Sequence, residues 1–182
     1  MSLGRELRNI TLVGFMGTGK STVGQQVAAI LRFHFLDTDA MIEHQVNKPI
    51  PRIFAEEGEP AFRQYERETV AKLGEMSSVV IATGGGLVCN HANMEALKAH
   101  SLVVCLWAAP ETIWRRVKNQ AHRPLLHDPD PQAKIERLLG EREPHYRKAD
   151  VLVSTEFRSV REVAQQICHQ FHLAQRDFGK SQ

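Results

Sequence analysis

Residues 14–21 read Gly-Phe-Met-Gly-Thr-Gly-Lys-Ser and fit the pattern G-x-x-x-x-G-K-[ST]. The apolar run 9–13 precedes this stretch, and residues 20–31 carry apolar side chains at helical spacing. The pattern therefore lies between a predicted strand and a predicted helix. In that position glycines let backbone N–H groups converge on an anion, and the helix dipole favours negative charge. The stretch predicts a phosphate-binding loop, or P-loop, in an α/β protein.

Several side chains of the P-loop suit a nucleotide bound with magnesium. Lys20 is expected to reach the β- and γ-phosphates, the Ser21 hydroxyl to ligate Mg²⁺, and Thr22 to bond the α-phosphate. The residues predicted to contact the nucleotide in this loop are Gly17, Thr18, Gly19, Lys20, Ser21 and Thr22. Kinases, GTPases, ATP-driven motors and regulatory nucleotide binders share such a loop, so a second site must separate these classes.

Length, charge and cysteine usage narrow the class of protein. The 182 residues fit one domain, and a net charge of +2 gives no support for binding nucleic acid or an acidic membrane surface. The three cysteines (Cys89, Cys105 and Cys168) are odd in number and widely spaced, which argues against a disulfide framework or a zinc site. The longest apolar stretches, such as 102–109, are too short to span a bilayer. We expect a cytoplasmic protein that binds neither nucleic acid nor membrane.

Strand and helix patterns alternate along the rest of the chain. Further strands are predicted at 33–36, 78–82, 102–107 and 151–154. Helical segments are predicted at 41–46, 50–55, 60–73, from 110 onward, at 132–149 and from 159 to about 173. Pro144 is expected to break or kink the helix at 132–149, and the polar tail 174–182 is expected to be disordered. The alternation predicts a three-layer α/β fold with a parallel sheet covered on both faces.

Two aspartates stand where the second predicted strand should end. In extended backbone, Asp37 and Asp39 would point to the same side, and ligands of α/β sheets bind beyond the carboxyl ends of the strands. One carboxylate could hold Mg²⁺ through water while the other accepts a proton from an attacking hydroxyl. The plainer alternative is that Asp39 caps the next helix, and capping does not exclude catalysis.

Two further patterns have both a structural and a functional interpretation. Arg63 and Glu66 are three residues apart on a predicted helix, so they form either a surface ion pair or a guanidinium that Glu66 orients toward a substrate carboxylate. The run Gly84-Gly85-Gly86 at a strand end is either a turn or a place where a ligand approaches the backbone closely. Three consecutive glycines favour the ligand.

A proline-rich segment at 122–131 reads as a loop, and Arg123 within it is interpreted as a cation that a mobile lid carries to the phosphates. The other recurring arginines, Arg116, Arg142 and Arg158, have a plain interpretation as solvated surface charges.

The motifs GFMGTGKST, LDTD, IFAEEGEPAFRQYE, TGGG, RPLL and REPHYRKAD occur in this order, and the chain resembles the shikimate kinase family from about residue 7 to 173. The resemblance implies the fold of nucleoside monophosphate kinases in one domain: a five-stranded parallel sheet, a substrate-binding subdomain at about 37–73 and a lid at about 119–131. It implies a monomer that uses Mg²⁺ to transfer the γ-phosphate of ATP to the 3-hydroxyl of shikimate, in aromatic amino-acid synthesis.

The resemblance also implies a role for each candidate residue of the substrate site. Asp37 would contact Mg²⁺ through water, and Asp39 would bind the reacting hydroxyl as base or orienting group. Arg63 and Arg142 would pair with the carboxylate of shikimate. The backbone of Gly84, Gly85 and Gly86 would contact the substrate hydroxyls.

On the nucleotide side, the resemblance makes Arg123 the lid arginine and places Arg116 against adenine. Arg158 matches a further nucleotide-side arginine, although its neighbourhood is one residue shorter than the family pattern. The chain departs from the family at 47–49, where a glycine-containing turn is usual, and at His122 before the lid arginine.

Two rival functions stay open at this stage. A related kinase of another small hydroxy acid, such as gluconate, is disfavoured by the FRxxE and TGGG motifs together. A catalytically silent nucleotide-binding module should have lost Lys20, one of the two aspartates or the lid arginine, and all are present.

Overall fold

Five parallel strands form the centre of the computed structural model, which describes residues 5–119 and 128–179. The strands are β1 (Asn9–Val13), β2 (His34–Asp37), β3 (Val79–Ala82), β4 (Ser101–Trp107) and β5 (Val151–Ser154). Their order in the sheet is β2-β3-β1-β4-β5, and every neighbouring pair is parallel. The predicted three-layer α/β fold with a five-stranded parallel sheet is confirmed.

Eight α-helices connect and flank these strands within the described ranges. They are α1 (Lys20–Leu31), α2 (Thr38–Val46), α3 (Ile50–Glu56), α4 (Gly58–Leu73), α5 (His91–His100), α6 (Pro110–Val117), α7 (Pro131–Tyr146) and α8 (Val160–Gly179). A short 3₁₀ turn spans Leu87–Cys89. None of the helices in the described ranges is both long and apolar enough to cross a membrane.

The sheet separates two apolar cores. On one face α1 and α8 cover the strands, and on the other the cover comes from α4, α5, α6 and α7. β1 and β3 are buried along their whole length, as parallel strands with helices on both faces must be. A separate small core of Ile42, Ile53 and Phe62 lies among α2, α3 and α4. This segment is the predicted substrate-binding subdomain, and its role stays a prediction.

The structure differs from the sequence predictions at three helices, α5, α8 and α7. The helix α5 was not predicted, although Asn90 begins it by accepting a hydrogen bond from the Ala92 N–H. The final helix α8 continues to Gly179, so the predicted disorder is wrong for residues 174–179. Past residue 173 it is held by a bond from Gln175 Nε2 to the Leu7 carbonyl, 3.0 Å long, a contact between the two ends of the chain that no local pattern shows.

Pro144 lies inside α7 and does not break it. The helix ends two residues later, at Tyr146, and the Arg147 N–H still bonds to the Glu143 carbonyl at 2.9 Å. Proline removes one backbone N–H, and in the last turn of a helix that loss leaves the preceding turns intact.

Asn9 links the amino ends of three strands in the interior. Its Oδ1 accepts the Val79 N–H at 3.1 Å, and its Nδ2 donates to the Met76 carbonyl at 2.8 Å. The same Nδ2 lies 3.0 Å from Nδ1 of His100, and Asn9 is fully buried. The side chain thus satisfies backbone groups that have no water to replace it.

Asn9→Ala is expected to lower the free energy of unfolding by about 2–4 kcal/mol, because it leaves the Val79 N–H and the Met76 carbonyl without partners. Urea denaturation measures the change. The exposed Asn119 provides the control, since Asn119→Ala should stay within about 0.5 kcal/mol. Equal stability losses in the two variants would contradict the role of Asn9.

Candidate active site

The P-loop joins β1 to α1 in a conformation that needs its glycines. Gly14, Gly17 and Gly19 have φ angles of 135°, 74° and 95°, which L side chains rarely adopt. A Cβ on Gly14 would lie 2.4 Å from the Leu106 carbonyl oxygen, so β4 also excludes a side chain there. Gly19 precedes α1 without a side-chain cap, and the first N–H groups of the helix are left to an anion.

Lys20 and Thr18 complete the loop. The Lys20 ammonium donates to the carbonyls of Gly14 and Phe15, at 2.9 Å each. The Thr18 hydroxyl, which is buried, donates to the Phe15 carbonyl at 2.8 Å. Thr18 therefore holds the loop with its side chain, whereas Lys20 brings a positive charge to the cavity that the loop borders.

Asp37, and not Asp39, caps helix α2. Its Oδ1 accepts the N–H groups of Asp39 and Ala40 at 3.0 and 3.4 Å, and its Oδ2 accepts the Ser21 hydroxyl at 3.2 Å. Because the helix begins at Thr38, the prediction that Asp39 lies in extended backbone or caps the helix is wrong. Asp39 lies in the first helical turn, yet both carboxylates still border the same cavity as Lys20.

The Asp39 carboxyl has an altered acidity. Burial, with the neighbouring Asp37 carboxylate as the second cause, raises the pKa of Asp39 from 3.8 to about 6, and Lys20 opposes the rise. A carboxylate with such a pKa is ionised at neutral pH but accepts a proton more readily than an ordinary aspartate.

The glycine run brings three charged side chains together. A Cβ on Gly84 would lie 2.5 Å from Oδ1 of Asp39, and one on Gly86 would lie 3.1 Å from Nη1 of Arg63. A Cβ on Gly85 would lie 3.4 Å from Nη1 of Arg142. Residues far apart in the chain thus converge on this run, and its first member has no room for a side chain; that a ligand approaches the run stays a prediction.

Arg63 is oriented from within the protein. Its guanidinium donates to the Glu66 carboxylate at 2.8 Å and to Glu59 at 2.8 and 3.1 Å. Glu66 is buried, and burial raises the pKa of its carboxyl while Arg63 opposes the rise. The pair is therefore an internal contact and not the plain surface ion pair that the sequence left open. Arg63 lies beside Gly86 and does not line the cavity that contains Lys20, Asp37 and Asp39.

The main cavity has a volume of about 560 Å³ and joins the P-loop to the glycine run. Its lining includes Gly17, Gly19, Lys20, Ser21, Thr22, Asp37, Asp39, Gly84, Gly85, Arg116 and Arg142. A cavity of this volume that is lined by the P-loop, the two carboxylates and two arginines has room and charged groups for more than one polar ligand.

A smaller cavity of about 200 Å³ adjoins the P-loop and contains Arg116 and Arg158. Arg116 donates to the Thr155 hydroxyl and carbonyl, both at 2.9 Å, and to the Gly17 carbonyl at 3.2 Å. Arg158 donates to Gln166 and lies 3.5 Å from the Ser154 carbonyl. Arg158 thus faces this smaller cavity and not the main one. Thr155, which was not predicted, fixes Arg116.

Two oxygen donors could hold a magnesium ion beside the P-loop. The Ser21 hydroxyl and the Asp37 carboxylate are within hydrogen-bonding distance of each other. Mg²⁺ is bound by one or two such oxygen ligands together with waters and substrate phosphates, so this donor pair fits the ion. The described residues contain no group of three or more histidine, cysteine, aspartate or glutamate side chains for an all-protein metal site.

Arg123 and His122 lie outside the described residues, as does most of the predicted lid at 119–131. The role of Arg123 therefore stays a prediction.

Comparisons with known proteins show the family of the chain. A family model for shikimate kinase matches residues 16–172. The chain belongs to the shikimate kinase family. Shikimate kinase of Synechococcus sp. (strain JA-3-3Ab) is 49% identical over 150 residues, 81% of this chain and 79% of the relative. Shikimate kinase of Caldanaerobacter subterraneus is 42% identical over 161 residues, which cover 88% and 94% of the two chains.

Solved structures give the same family. The structure of shikimate kinase from Acinetobacter baumannii in complex with shikimate has a TM-score of 0.86 and 38% identity, and covers 93% of this chain and 95% of that chain. A gluconokinase from Sinorhizobium meliloti has a TM-score of 0.65 but only 20% identity, over 98% and 99% of the two chains, and shares the fold alone. Family membership confirms the resemblance that the motifs indicated. It also confirms the prediction that the chain is an ATP-dependent kinase.

The raised pKa of Asp39 has a measurable consequence for stability. Above pH 6 the Asp39 carboxyl is ionised in both states, but its charge is less favourable in the folded state than in the unfolded chain. Asp39→Asn removes this charge and should therefore raise the free energy of unfolding at pH 8 by about 1–3 kcal/mol. The gain should shrink as the pH falls below about 6 and should vanish well below 3.8, where the carboxyl is protonated in both states. Urea denaturation across this range measures it.

The exposed Glu95 serves as control, since Glu95→Gln should change stability by less than about 0.5 kcal/mol at every pH. A pH-independent difference between Asp39→Asn and the original chain would contradict a buried, unfavourable charge at Asp39.

Proposed function

We propose that this chain transfers the γ-phosphoryl group of ATP to the 3-hydroxyl of shikimate, giving ADP and 3-phosphoshikimate. The observation that carries the proposal is one cavity lined both by the P-loop and by the Asp39 carboxylate, Arg142, Gly84 and Gly85. Family membership and the relative solved with shikimate support the choice of acceptor.

At the nucleotide end, the P-loop N–H groups and Lys20 would bind the phosphates. The adenine would occupy the smaller cavity, which Arg116 and Arg158 border. Lys20 would leave its two carbonyl partners to reach the β- and γ-phosphates. Ser21 and Asp37 would hold Mg²⁺, which supplies charge neutralisation on the phosphate oxygens when bound. Their oxygen atoms, which lie within hydrogen-bonding distance of each other, would be the ligands that the protein provides to the ion.

At the acceptor end, Asp39 would accept a hydrogen bond from the reacting hydroxyl and take its proton as the oxygen–phosphorus bond forms. The raised pKa suits that step because it brings proton affinity closer to neutral pH. Arg63 and Arg142 would pair with the carboxylate of shikimate, and the backbone of Gly84–Gly86 would contact its hydroxyls. Fixed donors and charges of this kind lower the barrier because they do not reorganise during transfer.

The two rival functions are weaker on specific grounds. The likeness to a gluconokinase shows only a shared fold, whereas the family match is to shikimate kinases. A silent module is disfavoured because Lys20, Asp37 and Asp39 are all present in the cavity. A cytoplasmic location, which suits the three free cysteines, a monomeric state and the absence of nucleic-acid binding stay predictions.

Release of ADP by the purified chain, with ATP and Mg²⁺ and with shikimate, gluconate or no acceptor, tests the proposed function. Release that depends on shikimate is the expected result. Release with gluconate alone would favour the related kinase, and release independent of any acceptor, or none at all, would refute phosphoryl transfer to a small hydroxy acid.

Arg142→Ala and Arg63→Ala are each expected to raise the KM for shikimate by about one to two powers of ten, because each removes a charge-assisted hydrogen bond worth about 1.5–3 kcal/mol. The KM for ATP should barely change. Steady-state kinetics with each substrate varied in turn measure both constants.

Arg147→Ala and Arg67→Ala are the matched controls for this pair, since both arginines are exposed, Arg147 directly follows α7 and Arg67 lies on α4. Their KM values should equal those of the original chain. A rise in the KM for ATP in place of shikimate would show that the acceptor end has been assigned to the wrong substrate.

The two aspartates should respond differently to loss of charge. Asp39→Asn should lower kcat by at least about 100-fold, the usual contribution of a positioned proton acceptor, and leave nucleotide binding nearly intact. Asp37→Asn should raise the Mg²⁺ concentration needed for half-maximal rate. Identical behaviour of the two variants in a magnesium titration of kcat would argue against separate roles.

A further inference from the structure

The Tyr146 hydroxyl donates a 2.7 Å hydrogen bond to the Gly85 carbonyl. Tyr146 is the last residue of α7, and only 1% of its surface is exposed. Burial raises the pKa of this phenol far above its usual value, so the hydroxyl stays protonated and remains a donor at every pH at which the enzyme is assayed. Gly85 borders the main cavity, whereas Tyr146 lies behind it in the apolar core.

This contact determines the orientation of one peptide in the glycine run. The Gly85–Gly86 peptide is trans, so its C=O and N–H groups point in opposite directions. With the Gly85 carbonyl drawn toward the core by Tyr146, the Gly86 N–H points away from the core. In the described part of the chain, the Gly84 N–H bonds to the Thr38 hydroxyl at 2.9 Å, while that of Gly86 donates to no protein acceptor.

Tyr146 also lies near an arginine of the acceptor end. Arg142 lies one turn earlier on α7, on the same helical face, and its positive charge opposes the rise in the pKa of Tyr146. The guanidinium also lies over the ring of Phe15, 5.6 Å from its centroid. Tyr146 therefore bonds to the glycine run from the same helix that carries a guanidinium of the cavity lining.

We propose that Tyr146 is a positioning residue of the acceptor site: its hydroxyl holds the Gly85–Gly86 peptide in one orientation, with the Gly86 N–H free to donate to the acceptor. The proposal rests on the proposed function for the identity of the acceptor. Tyr146 touches no reacting atom, so its effect falls on acceptor binding and not on phosphate chemistry.

Tyr146→Phe is the test, because it removes one oxygen and keeps the ring in the core. The expected result is a rise of roughly three- to tenfold in the KM for shikimate, the value of one neutral hydrogen bond, with the KM for ATP and kcat within about twofold. The only other tyrosine in the sequence provides the matched control. Tyr65 donates to Glu57 at 2.7 Å, and Tyr65→Phe should leave all three constants unchanged.

Two outcomes would overturn the proposal. In the first, Tyr146→Phe loses stability in urea but keeps its KM for shikimate, which is what a purely structural phenol would produce. In the second, the KM for both substrates rises equally, which would indicate general loosening of the site. An original chain without shikimate-dependent ADP release would instead refute the proposed function, so the two failures are distinguishable.

An amide titration of the original chain decides the matter even if Tyr146→Phe does not fold. In ¹⁵N NMR spectra the Gly86 amide should shift when shikimate is added without nucleotide, and its hydrogen exchange should slow. In folded Tyr146→Phe both responses should shrink, and in Tyr65→Phe they should match the original chain. A Gly86 amide that ignores shikimate in the original chain would overturn the proposal.

Discussion

The parallel pairing of β1 between β3 and β4 is the constraint on which the site depends. It brings the carboxyl ends of these strands to one edge of the sheet, where the P-loop follows β1 and the glycine run follows β3. The Thr83 N–H bonds to the Leu12 carbonyl at 3.0 Å and continues the pairing up to the glycine run. Because parallel strands need long crossover connections, helices deliver every remaining group to the same edge.

Charge is concentrated at this edge at some cost to stability. Two carboxylates, Asp37 and Asp39, lie close enough that one raises the pKa of the other, and the buried Glu66 is paired with Arg63. The Lys20 ammonium, which belongs to the P-loop, partly offsets the negative charge of these carboxylates. Sites that must stabilise transferring phosphate need such fixed charges, and the apolar cores on both faces of the sheet supply the stability that offsets them.

Local pattern was sufficient where bonding partners are close in the chain. The P-loop, the DTD sequence and the glycine run were all identified as site elements from short stretches. The extended-backbone interpretation of 37–39 failed because the helix begins at Thr38, three residues before the start at 41 that the apolar periodicity indicated. Helix α5 was missed although Asn90 carries an ordinary capping signal, and the reach of α8 depends on Gln175 contacting a residue at the opposite end of the chain.

The sequence by itself determined the fold class, the phosphate-binding loop and the residue types of the acceptor site, because strand and helix periodicity, glycine spacing and motif order are properties of neighbouring residues. Only the tertiary structure decided which groups meet: Glu66 buried behind Arg63, Arg158 in a separate cavity from Arg142, and Tyr146 bonded to Gly85. Those contacts join residues on different elements, and their geometry follows from how the helices pack on the sheet, which no local pattern encodes.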